Sequence, residues 1–176
     1  MLNEISNFLS IPTPNYIECL DISNLYQQDV VAGFLAFVNG RSNLTKSKLY
    51  KLESKFEKGT ESASDVARIK NACLIHYQKR SAEQIPNLII VDGGKEQVKA
   101  VQQVLKELNL KIPVIGLVKD EKHQTAKIIT NDLKELDFGK NERIKNFFAN
   151  CQEEVHRYAI NFHRKLHRKG ILKSQI

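Results

Sequence analysis

The run Leu88–Asp92 (LIIVD) constrains the fold more than any other part of the sequence. Four consecutive apolar residues leave no face for water, so a strand made from them must be covered on both sides. Pro86 breaks the chain before the run, and Gly93-Gly94 follow it. A strand buried on both faces implies a sheet with helices on each side. The run ends on Asp92, and an ionised carboxylate there is costly unless something compensates it.

The neighbouring segments fit such a sheet. With 176 residues, 41% of them hydrophobic, the chain has enough material for one domain with a real core. The stretch to Pro14 reads as a short helix ended by IPTP. YIECLDIS reads as a first strand and DVVAGFLAFVNG as a second, closed by the turn dipeptide Asn39-Gly40. Ser47–Phe56 alternates and reads as a third strand at the edge of the sheet. Val66, Ile69, Ala72, Cys73 and Tyr77 recur at helical spacing between Ser62 and Arg80, with Ser62 or Ser64 as cap. After LIIVD, the span from Lys95 to Leu110 reads as a helix, PVIGLVK as a fifth strand and Lys127–Phe138 as a hairpin. A long last helix runs from about Asn141 to Lys169, its stripe formed by Ile144, Phe148, Cys151, Val155 and Ala159 among others. The expected fold is α/β, a mixed five-stranded sheet flanked by helices. The expected organisation is residues 1–14 as helix and linker, 15–170 as the domain and 171–176 as a tail. The order of elements is that of the ribonuclease H-like fold, which by itself says little about chemistry.

Charge points to a partner. The chain has 27 Lys+Arg against 20 Asp+Glu, a net +7. After Glu154 it has no acidic residue, and Arg157, Arg164, Lys165, Arg168, Lys169 and Lys173 supply six of those seven charges. A polyanion binding along the last helix is the natural inference; the plain alternative is solubility. Cys19, Cys73 and Cys151 are widely spaced in apolar surroundings, which reads as buried free thiols in a reducing compartment. No run approaches membrane-spanning length and the N-terminus has no signal-like core, so a cytoplasmic protein is expected.

Asp21 lies near the carboxyl end of the first strand and Asp92 at that of the fourth. If these strands lie side by side and parallel, two carboxylates meet where α/β sheets bind ligands, and they repel unless a cation lies between them. A hard divalent ion, Mg²⁺ or Mn²⁺, suits oxygen ligands. The plain alternative for Asp92 is capping of the next helix. Gly93-Gly94-Lys95 is a fragment of a phosphate loop without its full spacing; the glycines serve better as clearance for a polymer backbone, with Lys95 as a DNA contact. His156 edges the apolar stripe of the last helix and could face the strand ends. His163 and His167 could chelate zinc, but the interleaved basic residues favour phosphate contact. Lys119, ending the fifth strand, would emerge at the same edge; a surface lysine is its plain reading.

IECLDIS, PNLIIVDGGKEQ, GLVKDEKHQT and EEVHRYAINFHRK together resemble the C-terminal nuclease domain of the UvrC family, from about Ile11 to Lys169. The resemblance implies a ribonuclease H-like endonuclease that cuts damaged DNA on the 5′ side of a lesion in bacterial nucleotide excision repair. It implies a catalytic Asp-Asp-His trio at Asp21, Asp92 and His156, binding Mg²⁺ or Mn²⁺, with Lys119 as a motif lysine. Arg157, His163, Arg164 and Arg168 with Lys95 are then expected to contact DNA. The implied partners are damaged double-stranded DNA and, for the full-length protein, a UvrB–DNA complex; no membrane is involved, and a monomer is expected.

This chain departs from the family pattern in places. Asn24 stands where the family often has His, Ser64-Asp65-Val66 where it has Asp-Asp-Tyr, and Gln152-Glu153-Glu154 where it has Arg-Asp-Glu. The family's GIY-YIG nuclease domain, UvrB-binding segment and tandem helix-hairpin-helix module do not occur in this stretch, so an excised domain or fragment is expected. A non-catalytic DNA-binding module and a nucleotide-binding domain on Gly93-Gly94-Lys95 are the alternatives.

Overall fold

The fold is described from a computed structural model, covering residues 1–26, 29–52 and 61–174, with side chains described within 1–24, 30–52 and 65–170. Helix α1 (Leu2–Leu9) ends on Ser10 in a left-handed conformation before the two prolines. Strands β1 (Tyr16–Tyr26), β2 (Asp29–Val38) and β3 (Arg41–Leu52) form the expected antiparallel meander. Helix α2 (Glu61–Tyr77), β4 (Leu88–Asp92), α3 (Lys95–Glu107) and β5 (Val114–Lys119) follow as parallel crossover units. The chain then adds β6 (Thr125–Ile129), β7 (Glu135–Asp137) and the long helix α4 (Glu142–Ser174).

The sheet order is β3-β2-β1-β4-β5-β6-β7. The first five strands take the ribonuclease H-like order. The expected hairpin does not stand apart but extends the sheet to seven strands, because β6 pairs antiparallel with the open edge of β5. β3 is an edge strand as expected but starts at Arg41, directly after the turn. Asn39 and Gly40 both have positive φ (51° and 84°), the twist that lets two strands join without a longer loop. The polar run RSNLTK hides this start, since an edge strand needs no apolar alternation. Residues 53–56 of the expected strand lie outside the described residues. Ser62 and Ser64 lie within α2 rather than capping it.

LIIVD is buried on both sides, as its composition demands. Ile89 and Val91 face the core under α2 and α3; Leu88 and Ile90 face the core under α1 and α4. The same alternation on β1 sends Leu20 toward α2 and Ile17 and Cys19 toward α4. Ile5 of α1 is fully buried in the second core, so the N-terminal segment is part of the body. The three cysteines are free and buried, as expected. Among the described residues no helix is long and apolar enough to cross a membrane.

One buried charge is invisible in the sequence pattern. Glu18, on β1, has no exposed surface, yet His76 Nε2 and the Tyr77 hydroxyl each lie 2.9 Å from its carboxylate, and the Tyr16 hydroxyl donates at 3.2 Å. Arg80 stands 3.7 Å away. These partners from the end of α2 let a carboxylate sit inside the core.

Two glycines set how closely elements approach. Gly33 of β2 lets α4 pass over the sheet, with Ala159 Cβ only 3.3 Å from where a Cβ would stand. Gly116 of β5 lies beneath the turn after β4, where a Cβ would meet the Gly93 carbonyl oxygen at 2.4 Å and Val98 at 2.8 Å. Backbone cannot yield as a side chain can. Gly116→Ala is therefore expected to lower stability by about 1–3 kcal/mol, the range for overpacking, measured by urea unfolding.

Candidate active site

Register brings the two strand-end carboxylates together. β1 and β4 pair in parallel through Leu20↔Val91, and Asp21 and Asp92 are the next residues on each strand. Asp21 turns toward α4 and is 7% exposed. Its Oδ2 lies 3.0 Å from His156 Nδ1. Burial holds the Asp21 carboxyl above its ordinary pKa; the His156 hydrogen bond and charge pull it down, the Asp92 charge raises it and Lys119 lowers it. Burial, rather than the neighbouring carboxylate, is the largest cause of the rise.

Asp92 does not cap the following helix. The N-cap of α3 is Gly94, whose N–H donates to Gln97 Oε1 at 2.9 Å. The Asp92 carboxylate points elsewhere: Oδ1 accepts from Gln152 Nε2 at 2.6 Å and Oδ2 lies 3.5 Å from Lys119 Nζ. Gly93 has its own reason to be glycine. Its φ is +139°, and a Cβ would stand 2.7 Å from Gln97. The expected clearance for a polymer thus describes Gly94 alone, whose nearest contact would be 3.9 Å away.

A third carboxylate joins the first two. Asp65 of α2, with Asp21 and Asp92, lines a cavity of about 100 Å³ floored by Leu20, Ile69 and Val91. Gln97 Nε2 reaches Asp65 Oδ2 at 3.4 Å, so the residue that closes the turn after Asp92 also steadies Asp65. Next to this cavity a cleft of about 580 Å³ opens between α4 and the β5–β6 turn, lined by Lys119, His123, Thr125, Lys145, Gln152 and His156. Small and carboxylate-lined, with oxygen donors only, the cavity fits a hard divalent cation better than a soft one. Among the described residues no three His, Cys, Asp or Glu side chains converge closely enough to form a ligand cluster.

The other expected site residues separate into two groups. Lys95 begins α3, exposed, directly after the glycine turn. Arg157, Arg164 and Arg168 are exposed on α4. Arg157 turns away from His156, into a shallow depression beside Leu35, Leu44 and Tyr158. His163 is a correction: it is fully buried, its Nδ1 3.1 Å from the Ser23 hydroxyl, and cannot reach a DNA phosphate or share a surface zinc with exposed His167. It lies seven residues after His156 and four after buried Ala159, on the face that packs against β1. Gln152 was legible only as a departure from a family pattern. Its spacing, one turn before His156, does place both on one helical face.

A family model described as the UvrC RNAse H endonuclease domain matches residues 6–160. The UvrABC system protein C of Ureaplasma parvum is 37% identical over 175 residues, covering 98% of this chain and 29% of that protein. Those of Finegoldia magna and Malacoplasma penetrans are 34% and 36% identical, covering 98% and 99% of this chain and 29% and 30% of theirs. The chain thus spans less than a third of the length of these relatives. Among solved structures, Ciona intestinalis Endonuclease V in complex with inosine-containing DNA aligns with a TM-score of 0.41 at 9% identity, covering 66% of this chain and 65% of that one. Thermus thermophilus RuvC aligns with a TM-score of 0.32 at 13% identity, over 57% and 63%. On the family match and the relatives together, the chain belongs to the UvrC RNase H endonuclease domain family.

Proposed function

We propose that this chain is a divalent-metal-dependent endodeoxyribonuclease domain that makes the 5′ incision beside a lesion in nucleotide excision repair. The observation that carries the reading is the parallel register that sets Asp21 beside Asp92 just beyond the β1–β4 ladder, with Asp21 bonded to His156. Damaged double-stranded DNA is the substrate, a UvrB–DNA complex the partner of the longer protein, and the cytoplasm the compartment.

Asp21 and Asp92 would hold Mg²⁺ or Mn²⁺, with Asp65 lining the same cavity. Such an ion lowers the pKa of bound water and stabilises charge on the transferring phosphoryl group. The chain's own residues do the rest. An ionised Asp21 can only accept, so His156 Nδ1–H donates to it, and in the neutral imidazole Nε2 then keeps its lone pair as the basic nitrogen or a ligand. Half of His156 remains exposed, so a phosphodiester can approach it. Lys119, also partly exposed, offsets the charge of a phosphate entering the cleft or of the leaving oxygen. In-line attack leaves a 3′-hydroxyl and a 5′-phosphate. Lys95, Arg157, Arg164 and Arg168 supply backbone contacts, which makes binding salt-dependent.

Asp21→Asn, Asp92→Asn and His156→Ala are each expected to lower Mn²⁺-dependent nicking of plasmid DNA by at least about 100-fold, while each still unfolds in one cooperative thermal transition. Full activity in any of the three would remove that residue from the trio. Intact salt-sensitive DNA binding without nicking by the parent, inside a complete incision reaction, would mark a non-catalytic module.

The raised pKa of Asp21 carries a second expectation. The folded state binds its proton more tightly than the unfolded state, so the stability this confers is present below the ordinary carboxylate pKa and lost as pH rises through the folded value. In EDTA, Asp21→Asn should therefore melt above the parent at pH 7, and the difference should vanish at pH 3. A lower melting temperature at pH 7 would contradict the electrostatic picture of the site.

A further inference from the structure

We propose that Gln152 and Thr125 form a neutral clamp that fixes the Asp92 carboxylate for cation binding, Gln152 acting as a positioning residue; this rests on the metal-site reading above. Asp92 ends β4, and the side chains that contact its carboxylate, Gln152 and Lys119, come from other elements. A carboxylate torsion is broad and has no strong preferred setting of its own. Restraint must come from across the fold.

Gln152 supplies it from α4. It is 7% exposed, and its Nε2 donates to Asp92 Oδ1 at 2.6 Å. Its Oε1 accepts from the Thr125 hydroxyl at 2.7 Å, and Thr125, at the start of β6, is 5% exposed. The direction of this chain of bonds has one solution. A carboxylate accepts only, so the amide must turn its NH₂ toward Asp92 and its oxygen toward a donor. The Thr125 hydroxyl is that donor, and it keeps the amide from flipping.

The chemistry of the clamp suits a site for a cation. Lys119 stands 3.5 Å from the other oxygen of Asp92, a long and partly exposed ion pair. A second positive group on Oδ1 would add to the charge an arriving metal must oppose. Glutamine supplies a donor there without a charge. Residues that orient a metal ligand through a hydrogen bond commonly change affinity or activity by about 10–100-fold when lost.

Mn²⁺ binding to the 176-residue chain, read as loss of the free-ion signal in electron paramagnetic resonance, tests the clamp without any catalytic assay. Gln152→Met keeps length and volume and loses both bonds; it should weaken Mn²⁺ binding by about 10–100-fold. Thr125→Val should weaken it less, and should add nothing in the Gln152→Met background, since Thr125 acts through Gln152. Asp92→Asn, measured in parallel, separates the two readings. If Asp92→Asn loses binding while Gln152→Met binds as the parent does, the clamp is wrong and the metal site stands. If Asp92→Asn binds as the parent does, the metal-site reading fails and the clamp with it. Equal losses from Thr125→Val in both backgrounds would also overturn the clamp. Should Gln152→Met fail to fold, parent-like binding by Thr125→Val alone would still do so.

Discussion

Everything at this site depends on the parallel pairing of β1 with β4. On each strand an aspartate follows the last residue of the shared ladder, so the pairing that buries Leu20 and Val91 also sets Asp21 beside Asp92. Two carboxylates in that position oppose folding. Hydrophobic burial along the strands and the hydrogen bonds of the ladder outweigh that opposition. The Asp21 carboxyl is held above its ordinary pKa chiefly by its burial, with the Asp92 charge adding to it.

The surroundings manage that charge with different means for each carboxylate. Asp21 is nearly buried and has His156, an exposed imidazole on α4. Asp92 is half-buried and has a neutral amide on one oxygen and a distant ammonium on the other. Asp65 enters from α2, steadied by Gln97. The small cavity is lined from β1, β4 and α2, and residues of α3, α4 and β5 contact its carboxylates. Glu18, only three residues before Asp21 on the same strand, shows the contrast: it faces the other core, is enclosed by His76, Tyr77 and Tyr16, and has no access to a ligand. The period of two along a strand sends Glu18 and Asp21 to opposite faces of the sheet.

Glycine at Gly93 and Gly116 belongs to the same construction. The turn after Asp92 needs a positive φ at Gly93, and its carbonyl presses against β5 where only Gly116 leaves room. That contact keeps α3 starting immediately after β4, which places Lys95 and Gln97 at the rim of the site. Helix α4, passing close over Gly33, brings His156 and Gln152 to the same rim from the other face.

Much of this was legible in the sequence. The apolar run LIIVD, the meander, the helical stripes and the aspartates at two strand ends follow from periodicity, which is a local property, and the motif resemblance named the family's residues. The inward turn of His163, the roles of Gln152, Thr125 and Asp65, and the buried partners of Glu18 were not legible. Each depends on contacts between residues far apart in the chain, and the pattern around each is compatible with a surface position. The sequence alone marks most of the strands and helices, and places one aspartate at the end of LIIVD and another after IECL within the first strand. Only the tertiary structure decided what faces those carboxylates, because register and helix rotation are set by packing across the whole core rather than by any one segment.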